Sequence, residues 1–255
     1  MSWPLFHWSV PMSPARVSIV AAFLLFGACA HAQDSQAGAS ASAQQQRGDV
    51  REVPDFDEVS VSHGIRAEVK VGPKSVRLEG PAELVSRIEM DVHDGTLRTR
   101  VDKKLFSGFK GGSVRLYVSS PRVEGIHASG GSHVDADATR TDEFDVEASG
   151  GAIVNVRGVD ARQVEAEASG GSKVTLAGRA TDFDVEASGG SIVRALDVKG
   201  VKTLDAEASG GSRVEVDASD RVSGEASGGS VLQLVSRPSQ SDVRASGGSK
   251  VVYKD

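Results

Sequence analysis

Asp205-Ala206-Glu207-Ala208-Ser209-Gly210-Gly211-Ser212-Arg213-Val214-Glu215-Val216 contains the unit from which half of this chain is built. Its centre, Ala-Ser-Gly-Gly-Ser or a near copy, starts at Ala128, Ala148, Ala168, Ala187, Ala208, Ala226 and Ala245, with successive starts 20, 20, 19, 21, 18 and 19 residues apart. A period of this length makes each unit one coil of a stacked solenoid, because a unit that short cannot bury a core alone. Counted from the Ala as zero, position −4 holds Phe144, Val164, Phe183, Leu204 and Val222. Position −2 holds Ile126, Val146, Ala166, Val185, Ala206, Gly224 and Val243. Position +6 is Val in six units and Leu232 in the other, and +8 is apolar throughout. Each unit therefore reads as a strand ending at the Ala, a Gly-Gly corner, and a second strand, with one buried face on each strand.

In-register parallel stacking is the arrangement that puts like residue on like, with neighbouring coils about 4.8 Å apart. Glycine suits the corner because it reaches positive φ without steric cost. A left-handed hexapeptide helix favours coil lengths in multiples of six, which the spacings lack; a right-handed helix tolerates uneven corners. The reading is an all-β chain, a right-handed parallel β-helix of ~20-residue coils over residues 124–255 with an irregular strand-rich N-terminal cap over residues 52–123.

That cap region alternates apolar and polar residues in short runs, as in Ile65, Ala67, Val69 and Val71, or Ile88, Met90 and Val92. Asp94-Gly95 fits a tight turn between two runs, Pro81 to Ile88 suggests one helical turn, and Phe106 to Gly112 reads as a loop. Upstream, residues 33–51 are rich in Ser, Ala and Gln without apolar periodicity and read as a flexible linker. Residues 1–32 read as a signal peptide: Arg16, an apolar run from Val17 to Ala28, and an Ala30-His31-Ala32 cleavage site. The run is too short for a membrane span of about 20 residues. Leu25-Phe26-Gly27-Ala28-Cys29 is an imperfect lipobox around the only cysteine. The expected location is therefore the periplasm, the outer membrane or the cell surface, with membrane attachment only if Cys29 is lipidated.

The opening Phe56-Asp57-Glu58-Val59-Ser60-Val61, then Val69-Lys70-Val71, Ile88-Glu89-Met90-Asp91-Val92 and Asp94-Gly95-Thr96-Leu97, followed by the repeats, resembles the bacterial GIN-domain family, labelled a putative auto-transporter adhesin head. The resemblance covers about residues 52–255. It implies a β-helical domain on the envelope side of the cell and supplies no catalytic residues.

Function is written less plainly. The net charge of −6 argues against nucleic acid as a partner. Position −1 holds Glu147, Glu167, Glu186, Glu207 and Glu225, flanked by His127 and Arg244, and position −3 holds Asp145, Glu165, Asp184, Asp205 and Asp242. Stacking makes two carboxylate columns of these. A solvated strand face accounts for them; cation binding by facing carboxylates, hence a calcium-stabilised scaffold, is the alternative. Carboxyl pairs at glycosidase spacing keep a β-helical carbohydrate-active enzyme as a further alternative, but near-identical coils without long loops offer no cleft.

Position +5 alternates apolar and basic residues: His133, then Ile153, Lys173, Ile192, Arg213, Val231 and Lys250. Such a row is a candidate contact face for a polysaccharide, a cell-surface protein or another copy, set against ordinary surface scatter. The Gly-Gly-Ser corners lack the Gly-Lys-Ser/Thr of a phosphate loop and the Gly-Gly-x-Gly-x-Asp of calcium-binding rolls. No cofactor motif, no G-x-S-x-G and no metal-ligand cluster among the six histidines is legible; His127 and His133 straddle one corner as at most a weak zinc pair. The leading expectation is a non-enzymatic, adhesin-like envelope or surface binding module.

Overall fold

Strand alternation turns every second side chain inward, and the stacked repeat decides which coil each strand pairs with. The computed structural model describes residues 48–101 and 114–254. The expected signal peptide, most of the expected linker, Cys29 and the stretch Phe106–Gly112 expected to form a loop lie outside the described residues. The first strands are β1 (Asp49–Val50), β2 (Glu58–Val61), β3 (Arg66–Val71), β4 (Ser75–Glu79), β5 (Ile88–His93), β6 (Thr96–Val101) and β7 (Arg115–Ser120). A single helical turn, α1 (Ala82–Val85), falls inside the expected Pro81–Ile88 stretch.

The repeats follow as β8 (Gly125–Ala128), β9 (His133–Asp137), β10 (Arg140–Ala148), β11 (Ile153–Ala168), β12 (Lys173–Arg179), β13 (Asp182–Ala187) and β14 (Ile192–Lys199). After them come β15 (Thr203–Ala208), β16 (Arg213–Val216), β17 (Arg221–Ala226), β18 (Val231–Leu234), β19 (Gln240–Ala245) and β20 (Lys250–Tyr253). Strands ending at the motif Ala pair parallel and in register, Ala128 on Ala148, Ala168, Ala187, Ala208, Ala226 and Ala245. Strands after the corner do the same, Val134 on Val154, Val174, Val193, Val214, Leu232 and Val251. This is the expected β-solenoid, and the apolar side chains of its inward rows, Phe144 and Phe183 the largest among them, are buried in every coil but the last.

Each corner is a type I′ turn. In the β13–β14 corner, Gly189 and Gly190 have φ of 64° and 86°, and the Ser191 amide closes the turn on the Ser188 carbonyl at 3.2 Å. A Cβ on Gly189 would stand 3.0 Å from the Gly170 amide nitrogen of the coil below, whereas one on Gly190 would meet open space. The coil also has a short third side that the two-strand reading of the repeat omits. Val159, Ala180, Val198, Val201 and Ala218 are buried there, partly in ladders such as Val159 on Gly178 and Gly178 on Val198. Its positions shift from coil to coil, which hides it from a column count.

The N-terminal region does more than cover an end. β2 and β3 form a coil of the solenoid, with Val61-Ser62-His63-Gly64 in place of Ala-Ser-Gly-Gly; His63 and Gly64 take φ of 65° and 72°. That coil lies between two others. β2 pairs parallel with both β6 and β8, and β3 with both β7 and β9. The closing strands are antiparallel: β5 on β6, β4 on β7 and β1 on β4. Asp94-Gly95 makes the expected tight turn between β5 and β6, with φ of 50° and 78°.

Candidate functional site

Outward positions of the first-strand face stack into the two acidic columns that the repeat implies. Glu147, Glu167, Glu186, Glu207 and Glu225 stand in one row by strand register, ending on Arg244. All five glutamates are exposed. Beside them run Asp145, Glu165, Asp184 and Asp205. Among the described residues, the ion pairs of the glutamate row lie at its ends. His127 Nδ1 is 3.2 Å from Glu147 Oε2, and Arg244 Nη1 is 3.9 Å from Glu225 Oε1. A shallow groove of about 220 Å³ runs along this row between His127 and Glu186, and Ser129, Ser149, Ser169 and Ser188 also line it.

Like charges one coil apart act on each other. Burial pushes the Asp184 carboxyl above the ordinary range, Asp205, Asp182 and Glu143 add to the shift, and a hydrogen bond from Gln163 opposes it. Glu167 is raised by burial first and by Glu147, Glu186 and Glu165 after it. Asp145 is raised furthest, to about 6, by burial; His127 opposes this, and Glu147, Glu165 and Glu58 reinforce it.

The end of the row at His127 is built differently from the rest. The imidazole is 19% exposed, and its Nε2 lies 3.3 Å from Glu58 Oε2, which also accepts a hydrogen bond from Thr96 Oγ1 at 2.8 Å. Glu58 comes from β2, the coil beneath β8, and reaches His127 past Gly125. A Cβ on Gly125 would stand 2.9 Å from Glu58 Cγ. Candidate ligand atoms of His127, Asp145 and Glu147 all lie within 4.8 Å of one another. The fold thus gathers a cluster that histidine spacing does not reveal. His133 is not part of it and instead pairs with Asp135 at 3.3 Å.

The +5 row also forms as a row. Ile153, Lys173, Ile192, Arg213, Val231 and Lys250 are successive register partners on the second-strand face. Ile153, Arg213 and Lys250 are exposed, and Lys173, Ile192 and Val231 are half-buried.

The family model described as "Putative auto-transporter adhesin, head GIN domain" matches residues 55–238. The chain belongs to this GIN-domain family. Solved structures share the GIN-domain fold at low sequence identity. A putative adhesin from Bacteroides fragilis superposes with a TM-score of 0.73 at 18% identity, over 80% of this chain and 95% of its own. A putative lipid binding protein from Parabacteroides distasonis gives 0.62 at 12% identity, over 82% and 97%. A putative adhesin from Parabacteroides merdae gives 0.56 at 14% identity, over 80% and 94%. Comparison with curated proteins finds no match.

Proposed function

We propose that this GIN domain is a non-enzymatic, adhesin-like binding module of the exported cell envelope or surface, and that its +5 row takes an anionic polysaccharide. The observation that carries the reading is the register of that row. Ile153, Ile192 and Val231 alternate with Lys173, Arg213 and Lys250 up one face. Side chains two coils apart are about 10 Å apart, so the row offers a regular series of cations separated by aliphatic patches. Aliphatic groups suit the weakly polar faces of sugar rings, and the cations suit acidic substituents at a repeating spacing. Family membership supports the surface-protein part of the reading. The non-enzymatic part is supported by the two-glycine corners that join the two strands of each repeat coil, which leave neither outward row in a deep cleft.

Binding to an array of neutral and acidic polysaccharides tests this, with K173E/R213E/K250E as the variant and E207Q as a control on the other face. The expected result is retention of acidic glycans, weakened by salt, lost in the triple variant and unchanged in E207Q. Equal binding by the triple variant removes the +5 row from the reading. Product analysis on each hit separates binding from turnover, and turnover would overturn the non-enzymatic assignment.

A further inference from the structure

We infer that His127, Asp145 and Glu147 form a site for one divalent transition-metal ion of the Zn²⁺ class, with Glu58 holding the imidazole from behind. The site lies on the acidic face, apart from the +5 row, and does not depend on the polysaccharide reading.

Geometry is the first argument. Donors bound to zinc at about 2.0–2.1 Å in tetrahedral array stand roughly 3.3 Å from each other. His127 Nδ1 and Glu147 Oε2 are 3.2 Å apart, and the donor atoms of all three residues fall within 4.8 Å. The second argument is the placing of the imidazole between two carboxylates. Glu58 Oε2 lies 3.3 Å from Nε2, and Glu147 Oε2 lies 3.2 Å from Nδ1. With Nε2 turned to Glu58, Nδ1 is the nitrogen that faces an ion held against Glu147. A carboxylate behind the distal nitrogen is also the usual partner of a metal-bound histidine, fixing its tautomer and raising its basicity.

The third argument concerns the local departures from the repeat. The −1 position is Glu in five coils and His only at His127. The −3 position one coil below Asp145 is Gly125, where a side chain would collide with Glu58. Both exceptions fall on the same coil and act on the same imidazole. An imidazole donor favours Zn²⁺ over Ca²⁺ or Mg²⁺, which prefer oxygen alone. Three protein ligands leave a fourth position open to the groove.

Isothermal titration of the full chain with Zn²⁺, Ca²⁺ and Mg²⁺ tests the site, with Cys29→Ser in every variant so that the thiol cannot contribute. The expected result is a Zn²⁺ stoichiometry of one that H127A and E147Q each weaken at least tenfold, that E58Q weakens by roughly 10–100-fold, and that E207Q leaves unchanged. Equal Zn²⁺ binding in H127A and the parent would overturn the proposal, as would an equal loss in E207Q, which would mark diffuse attraction to the row. If H127A fails to fold, Co²⁺ titration of the parent decides the matter: a visible absorption of low-symmetry four-coordinate Co²⁺, displaced by Zn²⁺, supports the site. The absence of any such band means that His127 is held by protons alone.

Discussion

The second serine of the motif has a job that its own coil does not show. Ser191 Oγ donates to the Ala168 carbonyl one coil back at 2.9 Å, and that oxygen also accepts the Ser188 amide at 2.9 Å. Ser172, Ser212 and Ser230 make the same bond to Ala148, Ala187 and Ala208. Each hydroxyl is buried and stitches two coils, a net stabilisation of about 1 kcal/mol. Ser191→Ala should therefore cost about 1 kcal/mol in urea unfolding, and Ala152→Ser, at the one motif lacking the hydroxyl, should raise the midpoint. The glycines separate in the same experiment. Gly189→Ala meets the Gly170 backbone and must also hold positive φ, while Gly190→Ala bears only the second penalty, roughly 1–2 kcal/mol. The larger loss belongs to Gly189. Sequence made the glycines legible because their role is local. It left the serine unexplained because its acceptor sits more than twenty residues away.

Strands carry their charge in rows, and the rows predict a pH dependence. The Asp184 carboxyl is raised above 3.8, chiefly by burial, and Glu167 above 4.5 for the same leading reason. A raised carboxylate makes the folded state bind more protons than the unfolded state between the two pKa values. Its penalty is absent below the unfolded value and complete above the folded one, so this contribution to stability falls as pH rises through that window. Asp145, raised to about 6 chiefly by burial, places part of this loss between pH 5 and 7, so thermal melts should show a modestly higher Tm near pH 5 than at pH 7, and added salt should narrow the gap. Asp184→Asn should flatten part of the slope, since its amide oxygen can still accept the Gln163 hydrogen bond of 3.0 Å. His63 pulls the other way, because burial holds its imidazole below 6.5, so the deciding melts are those of a His63→Asn background, where a Tm that climbs steadily from pH 5 to 7 would contradict the assignment. The rows themselves were readable from the period alone, because in-register stacking converts a repeat position directly into a column. The His127 cluster was not: Glu58 is 69 residues from His127 and belongs to a coil whose corner, His63-Gly64, no longer resembles the motif.

At the scale of the molecule, chain order and stacking order part company at the N-terminal end. The β2–β3 coil is first in sequence among the coils, yet it is sandwiched between β6–β7 and β8–β9. Val59, fully buried, sits between Leu97 on one side and Ile126 on the other. At the opposite end, no described strand stacks beyond β19 and β20. β19 is mostly exposed, Val243 and Val251 are only partly buried, and the family match stops at residue 238, before the last coil. Stacked coils gain stability from their neighbours, so a coil with two interfaces matters more than a coil with one. Val59→Ala should lower the unfolding free energy by about 2 kcal/mol, and Val251→Ala by distinctly less. Removal of residues 239–255 should leave a folded array with a β-type circular dichroism spectrum and a Tm lowered by several degrees. Removal of residues 48–71 should abolish cooperative melting, because it takes away the coil that joins the antiparallel end to the repeats. If the two truncations melt alike, the β2–β3 coil is not the joint that holds the ends together.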